Sequence, residues 1–502
     1  MRTLRVGGLA TDLCLPDGEG PHPAVLLRTP YDRRRHRAEL RAWAARGFAA
    51  VGQDVRGRHA SEGTWSPYRS EAADGAAALA WIRGQEWSDG RVVAVGASYA
   101  AHCALAPLLD GPVGHAPDAV IAAVPALGPG EVAREESGVE RLSARAGWWL
   151  AHGDRTDSDE HALAHALRDT PDLLDRLPVS RLLPHASWPG VWAARRDDRP
   201  TVRAAAARVP LLAVGGSRDP FATDTLRLWR SWGGPARLLL GPWGHGLTAG
   251  PAPEARPEHH LDLGSLYARW ARRALAGTLT GRRGAVALGG SAHWRGAEAE
   301  ARASGAPAPG RAGLVPYRFG ESAGLRLVRG AEFLADPERP VRSDRLDIDE
   351  RAAPDRCLLA SPPLPRPLDL HGEAEVRLVA AAEGRSADWA VRLVALRPDG
   401  RAEPLATGVV RSTPGHESFE QRELTVPLGY LARRLEAGLR LRVEVAGHHF
   451  PAHARNPHTG DDPVTATRLL PSRRTVRMAG SALLLPVSPR TVAIDPVQET
   501  LR

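Results

Sequence analysis

Three side chains that could share nucleophilic catalysis occur in the order Ser98, Asp219, His245, and each follows a run of small or aliphatic residues. Val93-Ala94-Val95 leads into Gly96-Ala97-Ser98-Tyr99, and residues 100–106 read as a short helix. A serine on a tight strand-to-helix turn needs small neighbours and holds its Oγ outward, with a helix N-terminus behind it that favours negative charge. Residues 209–214 run into Gly215-Gly216-Ser217-Arg218-Asp219, and residues 237–240 into Gly241-Pro242-Trp243-Gly244-His245. An acid after a later strand and a histidine after the next one is the order that an acyl-transfer triad on a parallel sheet requires. Ser98 is a poor nucleophile at its free pKa, so His245 must take its proton and return it to the leaving group. Asp219 would hold the imidazole tautomer and stabilise the imidazolium. The oxyanion needs two donors. One is the backbone N–H of Tyr99, the residue after the nucleophile. The other should come from the loop after the strand at 24–27, Arg28-Thr29-Pro30-Tyr31-Asp32, where Pro30 cannot donate and Tyr31 offers a phenol.

The elements that must position these residues follow from hydrophobic runs. Residues 24–27, 48–51, 91–95 and 120–124 read as buried strands, with helical stretches at 37–46 and 71–83 between them. Strand, helix, strand at this spacing predicts a parallel sheet covered on both faces. Between 128 and 205 the strand signal vanishes, and residues 131–150 and 159–177 carry helical spacing. The strands at 209–214 and 236–240 then resume the sheet, and a helix at 261–275 closes it, so the helical block is an inserted cap. Residues 284–313, rich in Gly, Ala and Pro, read as a linker. Beyond them lie alternating segments at 374–379, 389–394 and 439–445, with a Pro398-Asp399-Gly400 turn. Apolar-in, charged-out alternation predicts an antiparallel β-sandwich. The expected domains are therefore an α/β sheet formed by 1–127 and 205–298, a helical cap at 128–204, and a sandwich at 299–502.

The chain has 502 residues, 43% hydrophobic and 25% charged, an ordinary globular composition. It contains no lysine, so all 66 basic side chains are arginine against 58 acids, a net charge of +8. The charges are interleaved, and the longest basic run is Arg33-Arg34-Arg35, which argues against nucleic acid as a partner. Cys14, Cys103 and Cys357 lie too far apart for a metal knuckle, and their odd number argues against a disulfide framework. No signal-like stretch opens the chain and no long apolar window follows, so a cytoplasmic protein that leaves membranes alone is expected.

These motifs together resemble the CocE/NonD hydrolases, the group of cocaine esterase, α-amino-acid ester hydrolases and X-Pro dipeptidyl peptidases. The matching pieces begin with Arg28-Thr29-Pro30-Tyr31-Asp32, Gln53-Asp54-Val55-Arg56-Gly57, Ala60-Ser61-Glu62-Gly63 and Trp87-Ser88-Asp89-Gly90. Gly96-Ala97-Ser98-Tyr99, Gly241-Pro242-Trp243-Gly244-His245, Phe450-Pro451 and Arg455-Asn456-Pro457-His458-Thr459-Gly460 complete them. The resemblance implies an α/β-hydrolase sheet with a helical cap and a C-terminal jelly roll. It also implies Tyr31 as the side-chain oxyanion donor, paired with the N–H of Tyr99. Two departures stand out: Ala101 replaces a family glycine, and Pro220-Phe221-Ala222 after Asp219 holds none of the carboxylates with which amino-acid ester hydrolases bind an ammonium.

Other residues are given plainer roles. His161 and His165 stand four apart, but the zincin order His-Glu-x-x-His is absent, so they read as a solvated cap face. Asp54 and Arg56 are expected to pair with each other near the site, and Trp148, Trp149, Trp188 and Trp192 to pack within the cap. No phosphate loop or dinucleotide fingerprint follows any strand. The reading is a serine hydrolase of small-molecule esters or amides, with neither cofactor nor metal, and it leaves room for a homodimer. The alternatives are an acyltransferase using the same triad and a catalytically impaired binding protein on this fold, suggested by Ala100-Ala101.

Overall fold

The structure is a computed structural model that describes residues 1–197, 199–297, 313–349, 352–413, 420–488 and 492–502. It opens with a hairpin, β1 (Arg2–Val6) and β2 (Leu9–Cys14), turned by Gly7-Gly8. The alternating units follow: β3 (His22–Thr29), α1 (Arg37–Ala44), β4 (Ala49–Asp54), α2 (Glu71–Arg83), β5 (Ser88–Ala97), α3 (Tyr99–Leu109) and β6 (Ala119–Ala123). The cap contributes α4 (Pro129–Ala133), α5 (Leu142–His152), α6 (Ala162–Asp169), α7 (Trp188–Val191) and α8 (Arg199–Ala206). The sheet resumes with β7 (Leu211–Gly216), α9 (Ala222–Ser231) and β8 (Ala236–Gly241). A small hairpin, β9 (Trp243–Gly244) and β10 (Leu247–Pro251), precedes α10 (Leu263–Leu275), β11 (Arg282–Ala287) and β12 (Trp294–Gly296).

Ten strands form one sheet in the order β1-β2-β4-β3-β5-β6-β7-β8-β11-β12, with β4 through β11 parallel to one another. Because side chains alternate across a strand, the apolar runs cover both faces. Val93 and Val95 pack on α1 and α10 with Ile121, Leu212 and Trp270, whereas Ala94 packs with Val120, Leu211 and Trp229 beneath α3 and α9. Parallel pairing also brings the C-terminal ends of β3, β5, β7 and β8 to one edge, and Gly216 stands opposite Gly241 there.

Three local expectations fail. The stretch 131–150 is not one helix: α4 stops at Ala133, Gly138 adopts φ +83°, and Arg134 and Glu140 form a short antiparallel bridge. Glu140 is drawn out of the helical repeat by a buried ion pair to Arg134 and another to Arg411 of the C-terminal region at 2.8 Å. Residues 284–313 are not simply a linker, because β11 and β12 lie in the main sheet; residues 298–312 are outside the described set. Asp54 and Arg56 do not pair: Asp54 binds Arg33 at 2.5 Å and Arg56 binds Asp74 at 2.5 Å.

From Leu314 onward, two antiparallel five-stranded sheets face each other across one apolar core that includes Trp389, Val391, Leu393, Leu441 and Leu483. This β-sandwich also walls the cap. Leu142 and Ser143 at the start of α5 donate backbone hydrogen bonds to Ala452 and Pro451, and Phe450, Ala454 and Val464 pack with Leu142, Trp149 and Trp188. Asn456 is buried and bonds Ser386, Asp388 and the N–H of His458, so the Arg455–Gly460 motif acts on the architecture. Among the described residues, no helix is long and apolar enough to cross a membrane.

Candidate active site

The sheet edge brings Ser98, Asp219 and His245 into one line. His245 Nδ1 lies 2.6 Å from Asp219 Oδ1, and His245 Nε2 lies 2.9 Å from Ser98 Oγ. The two ring nitrogens therefore do different work. With Nδ1–H donating to the carboxylate, Nε2 is left as the acceptor for the serine proton. Asp219 has no exposed side-chain surface, and its second oxygen accepts the N–H of Phe221 at 3.1 Å, which fixes the carboxylate against the ring. The edge of Phe221 faces His245 at 5.6 Å between ring centres.

Ser98 sits at the turn between β5 and α3 with φ 58° and ψ −122°, outside the ordinary region for an L-residue. That strain is held by a backbone hydrogen bond to Ala123 and by the absence of a side chain at Gly96. A Cβ on Gly96 would come within 2.1 Å of the Ala100 carbonyl oxygen. The methyls of Ala100 and Ala101, by contrast, are buried on the helix side, and Ala101 packs with Ala94, Ala104 and Ala122. The departure from the family glycine is absorbed in the core without closing the turn.

Tyr99 begins α3, as the nucleophile-elbow geometry requires. Its phenol is tied away from the serine: it donates to Glu71 Oε1 at 2.6 Å and accepts the N–H of Tyr68 at 2.7 Å. Burial, with Glu71 beside it, holds the Tyr99 phenol well above its ordinary pKa. Tyr31 follows Pro30 at the end of β3, and its hydroxyl faces the Ser98 side chain while accepting Trp148 Nε1–H at 3.2 Å. Burial raises the Tyr31 pKa, partly offset by Trp148 and Ser98, so the phenol stays protonated and able to donate at neutral pH.

Several residues that shape the site were not singled out from sequence. Arg58, fully buried, donates to the Pro30 carbonyl at 3.0 Å and to cap carbonyls at His152 and Asp157, pinning the Tyr31 loop to the cap. Its guanidinium lies 4.3 Å over Trp65, and burial pulls its pKa down to about 10. Tyr68, at φ 66°, packs at a tilt against Tyr99, and Trp65 and Trp148 complete an aromatic wall in which Trp148 stacks on Tyr99 at 5.8 Å. Arg58 is one of several arginines around a turn, with no local signal to set it apart. Trp148 was placed in the cap, but spacing cannot say that it reaches Tyr31 over a separation of 117 residues. His161 and His165 lie 6.1 Å apart on the cap, and no group of metal-ligating side chains occurs among the described residues.

The X-Pro dipeptidyl-peptidase (S15 family) domain matches residues 8–247, and the X-Pro dipeptidyl-peptidase C-terminal non-catalytic domain matches residues 332–483. A cocaine esterase from Rhodococcus sp. (strain MB1 Bresler) is 27% identical, with 90% of each chain covered. Among solved structures, an aminopeptidase from a marine sediment Thaumarchaeota archaeon superposes with a TM-score of 0.72 at 19% identity, covering 96% of this chain and 95% of that one. An α-amino acid ester hydrolase gives 0.71 at 19% identity over 97% and 96%, and a CocE/NonD family hydrolase from Staphylococcus aureus gives 0.60 at 15% over 97% and 93%. These structures share the fold. With the catalytic and C-terminal domain models matched in order and a relative aligned along nearly the full length, the chain is a serine hydrolase that carries an S15-type X-Pro dipeptidyl-peptidase domain and its C-terminal domain and is similar to the CocE/NonD hydrolases.

Proposed function

We propose that the chain cleaves an ester or amide bond of a small molecule through an acyl-enzyme on Ser98. The observation that carries this reading is the continuous hydrogen-bond line from Asp219 through His245 to Ser98 Oγ. As Oγ bonds to the scissile carbonyl carbon, its proton passes to His245 Nε2, and the carbonyl oxygen takes up the negative charge. The Tyr31 hydroxyl and the Tyr99 N–H receive that oxyanion. The tetrahedral centre then collapses, and His245 returns the proton to the departing alcohol or amine. Water repeats the sequence on the acyl-serine, releasing the acid and restoring Ser98. Residues 1–127 and 205–298 act in this reading as the catalytic domain, 128–204 as a lid over it, and 299–502 as the support that holds the lid. A cytoplasmic setting is supported by three free, buried cysteines.

The test is covalent labelling with a fluorophosphonate, followed by mass spectrometry of the labelled peptide. The adduct should lie on Ser98, and Ser98→Ala should abolish both labelling and ester hydrolysis while its circular dichroism and melting stay those of the parent. Labelling of the Ser98→Ala protein, or an adduct elsewhere, would refute the nucleophile.

A further inference from the structure

One buried cation beside this site has no anion. Arg145, on α5, is 5% exposed, and its guanidinium carbon lies 4.5 Å from the Trp148 ring centre and 5.7 Å from that of Trp149. Its Nε is buried with no hydrogen-bond partner, and among the described residues no carboxylate pairs with it. The guanidinium shares a side-chain hydrogen bond with the Tyr68 phenol and lies near those of Tyr31 and Tyr99, none of which carries a charge to balance it. Other buried arginines of this region are all engaged: Arg28 with Asp74, Arg33 with Asp12 and Asp54, Arg141 with Glu135, and Arg58 with carbonyls and Ser158. A buried guanidinium with no counter-charge is costly unless something completes it, and its planar fork suits a carboxylate. Trp148 joins Arg145 to the reacting centre, because its indole bonds the Tyr31 hydroxyl that faces Ser98. Arg145 therefore lies on the oxyanion side of Ser98. In the proposed mechanism the leaving group takes its proton from His245, which is flanked by Phe221 rather than by Trp148.

We propose that Arg145 receives a carboxylate carried on the acyl part of the substrate, so that the preferred acyl groups are those of short dicarboxylic acids joined through one end. This specificity rests on Ser98 being the nucleophile. It places the anion against the buried guanidinium beside Trp148 and Trp149, where a charge-assisted pair is stronger than in water.

The experiment compares 4-nitrophenyl hydrogen glutarate with 4-nitrophenyl valerate, which has the same chain length and a methyl in place of the carboxylate. Wild type should favour the glutarate ester by at least about tenfold in kcat/KM, and Arg145→Met should lower the glutarate-to-valerate ratio by about ten- to a hundredfold. Arg145→Lys should recover part of it, because the charge returns without the fork. A wild type that favours valerate overturns the proposal whether or not the variants fold, and so does an Arg145→Met protein that loses both activities equally. Binding of methyl hydrogen glutarate to Ser98→Ala, measured by calorimetry and lost in Ser98→Ala with Arg145→Met, reads the same subsite without catalysis. Binding without turnover by wild type would sink the acyl-enzyme reading and leave the subsite standing. Turnover of both esters with no charge preference would do the reverse.

Discussion

Replacing Tyr31 by phenylalanine removes one oxygen and keeps the ring, which packs 5.0 Å from His152. That oxygen has two neighbours: it accepts Trp148 Nε1–H at 3.2 Å and faces Ser98. Loss of the acceptor leaves an indole N–H unpaired, a stability cost of about 1–3 kcal/mol. Against a total of roughly 5–15 kcal/mol the protein stays almost entirely folded, so unfolding cannot imitate a catalytic defect. The catalytic loss is larger. In the proposed mechanism the hydroxyl serves the oxyanion, which exists only in the transition state and the tetrahedral intermediate, and the Tyr99 N–H remains as the second donor. Removing one such donor raises the barrier by about 2.7–4 kcal/mol, a fall in turnover of about 10²–10³. Binding of the ground-state ester should change little, so kcat should fall and KM should not. Stopped-flow measurement of the acylation burst, with urea unfolding of the same preparation, separates the two effects. A turnover loss below about threefold, or a loss expressed entirely in KM, refutes the assignment of Tyr31.

Gly96→Ala should abolish fluorophosphonate labelling and lower the melting temperature, because its Cβ meets the Ala100 carbonyl oxygen at 2.1 Å and the turn must open; a variant that labels normally would show that Ser98 needs no such turn. Methyl esters of phenylglycine should be cleaved no better than those of phenylacetic acid: Asp224, the acid after Asp219, is buried in an ion pair with Arg196, and Asp219 is held by His245. A preference of about tenfold for the amino ester, roughly 1.4 kcal/mol, would contradict that view. Stability should fall as pH drops below about 6.5. Burial pulls His448 and His458 down to about 3 with Arg474 adding to it, and His371 down to about 4, so the unfolded chain takes up protons that the folded chain refuses. Between about pH 6.5 and 4 each of these imidazoles subtracts about 1 kcal/mol per pH unit, and the contribution is complete above pH 6.5. Urea midpoints that stay level from pH 7 to 5 would show the imidazoles are not held neutral.

The strand runs, the elbow at Ser98 and the order Ser98, Asp219, His245 could be read from the chain, because each depends on neighbours within a few residues. Buried parallel strands leave continuous apolar runs, and Ser98 follows Gly96 by two positions, so local composition reports local geometry. The helix at Glu71–Arg83 was legible for the same reason, with Gly84 at its end. Tertiary structure decided what depends on distant pairing. The stretch from 131 to 150 carries a helical period, yet Glu140 and Arg141 are engaged by Arg411 and by the His453 backbone, more than 270 residues away, and the helix breaks. Ion-pair partners were equally hidden: Asp54 chose Arg33 over the nearby Arg56, because the β3–β4 pairing sets Asp54 opposite Thr29, just before the Arg33 turn. The aromatic wall and Arg145, which lacks a counter-charge, belong to this second class. Only the folding of the cap onto the sheet edge brings Trp148 to Tyr31 and leaves a charge beside the serine with no acid to meet it.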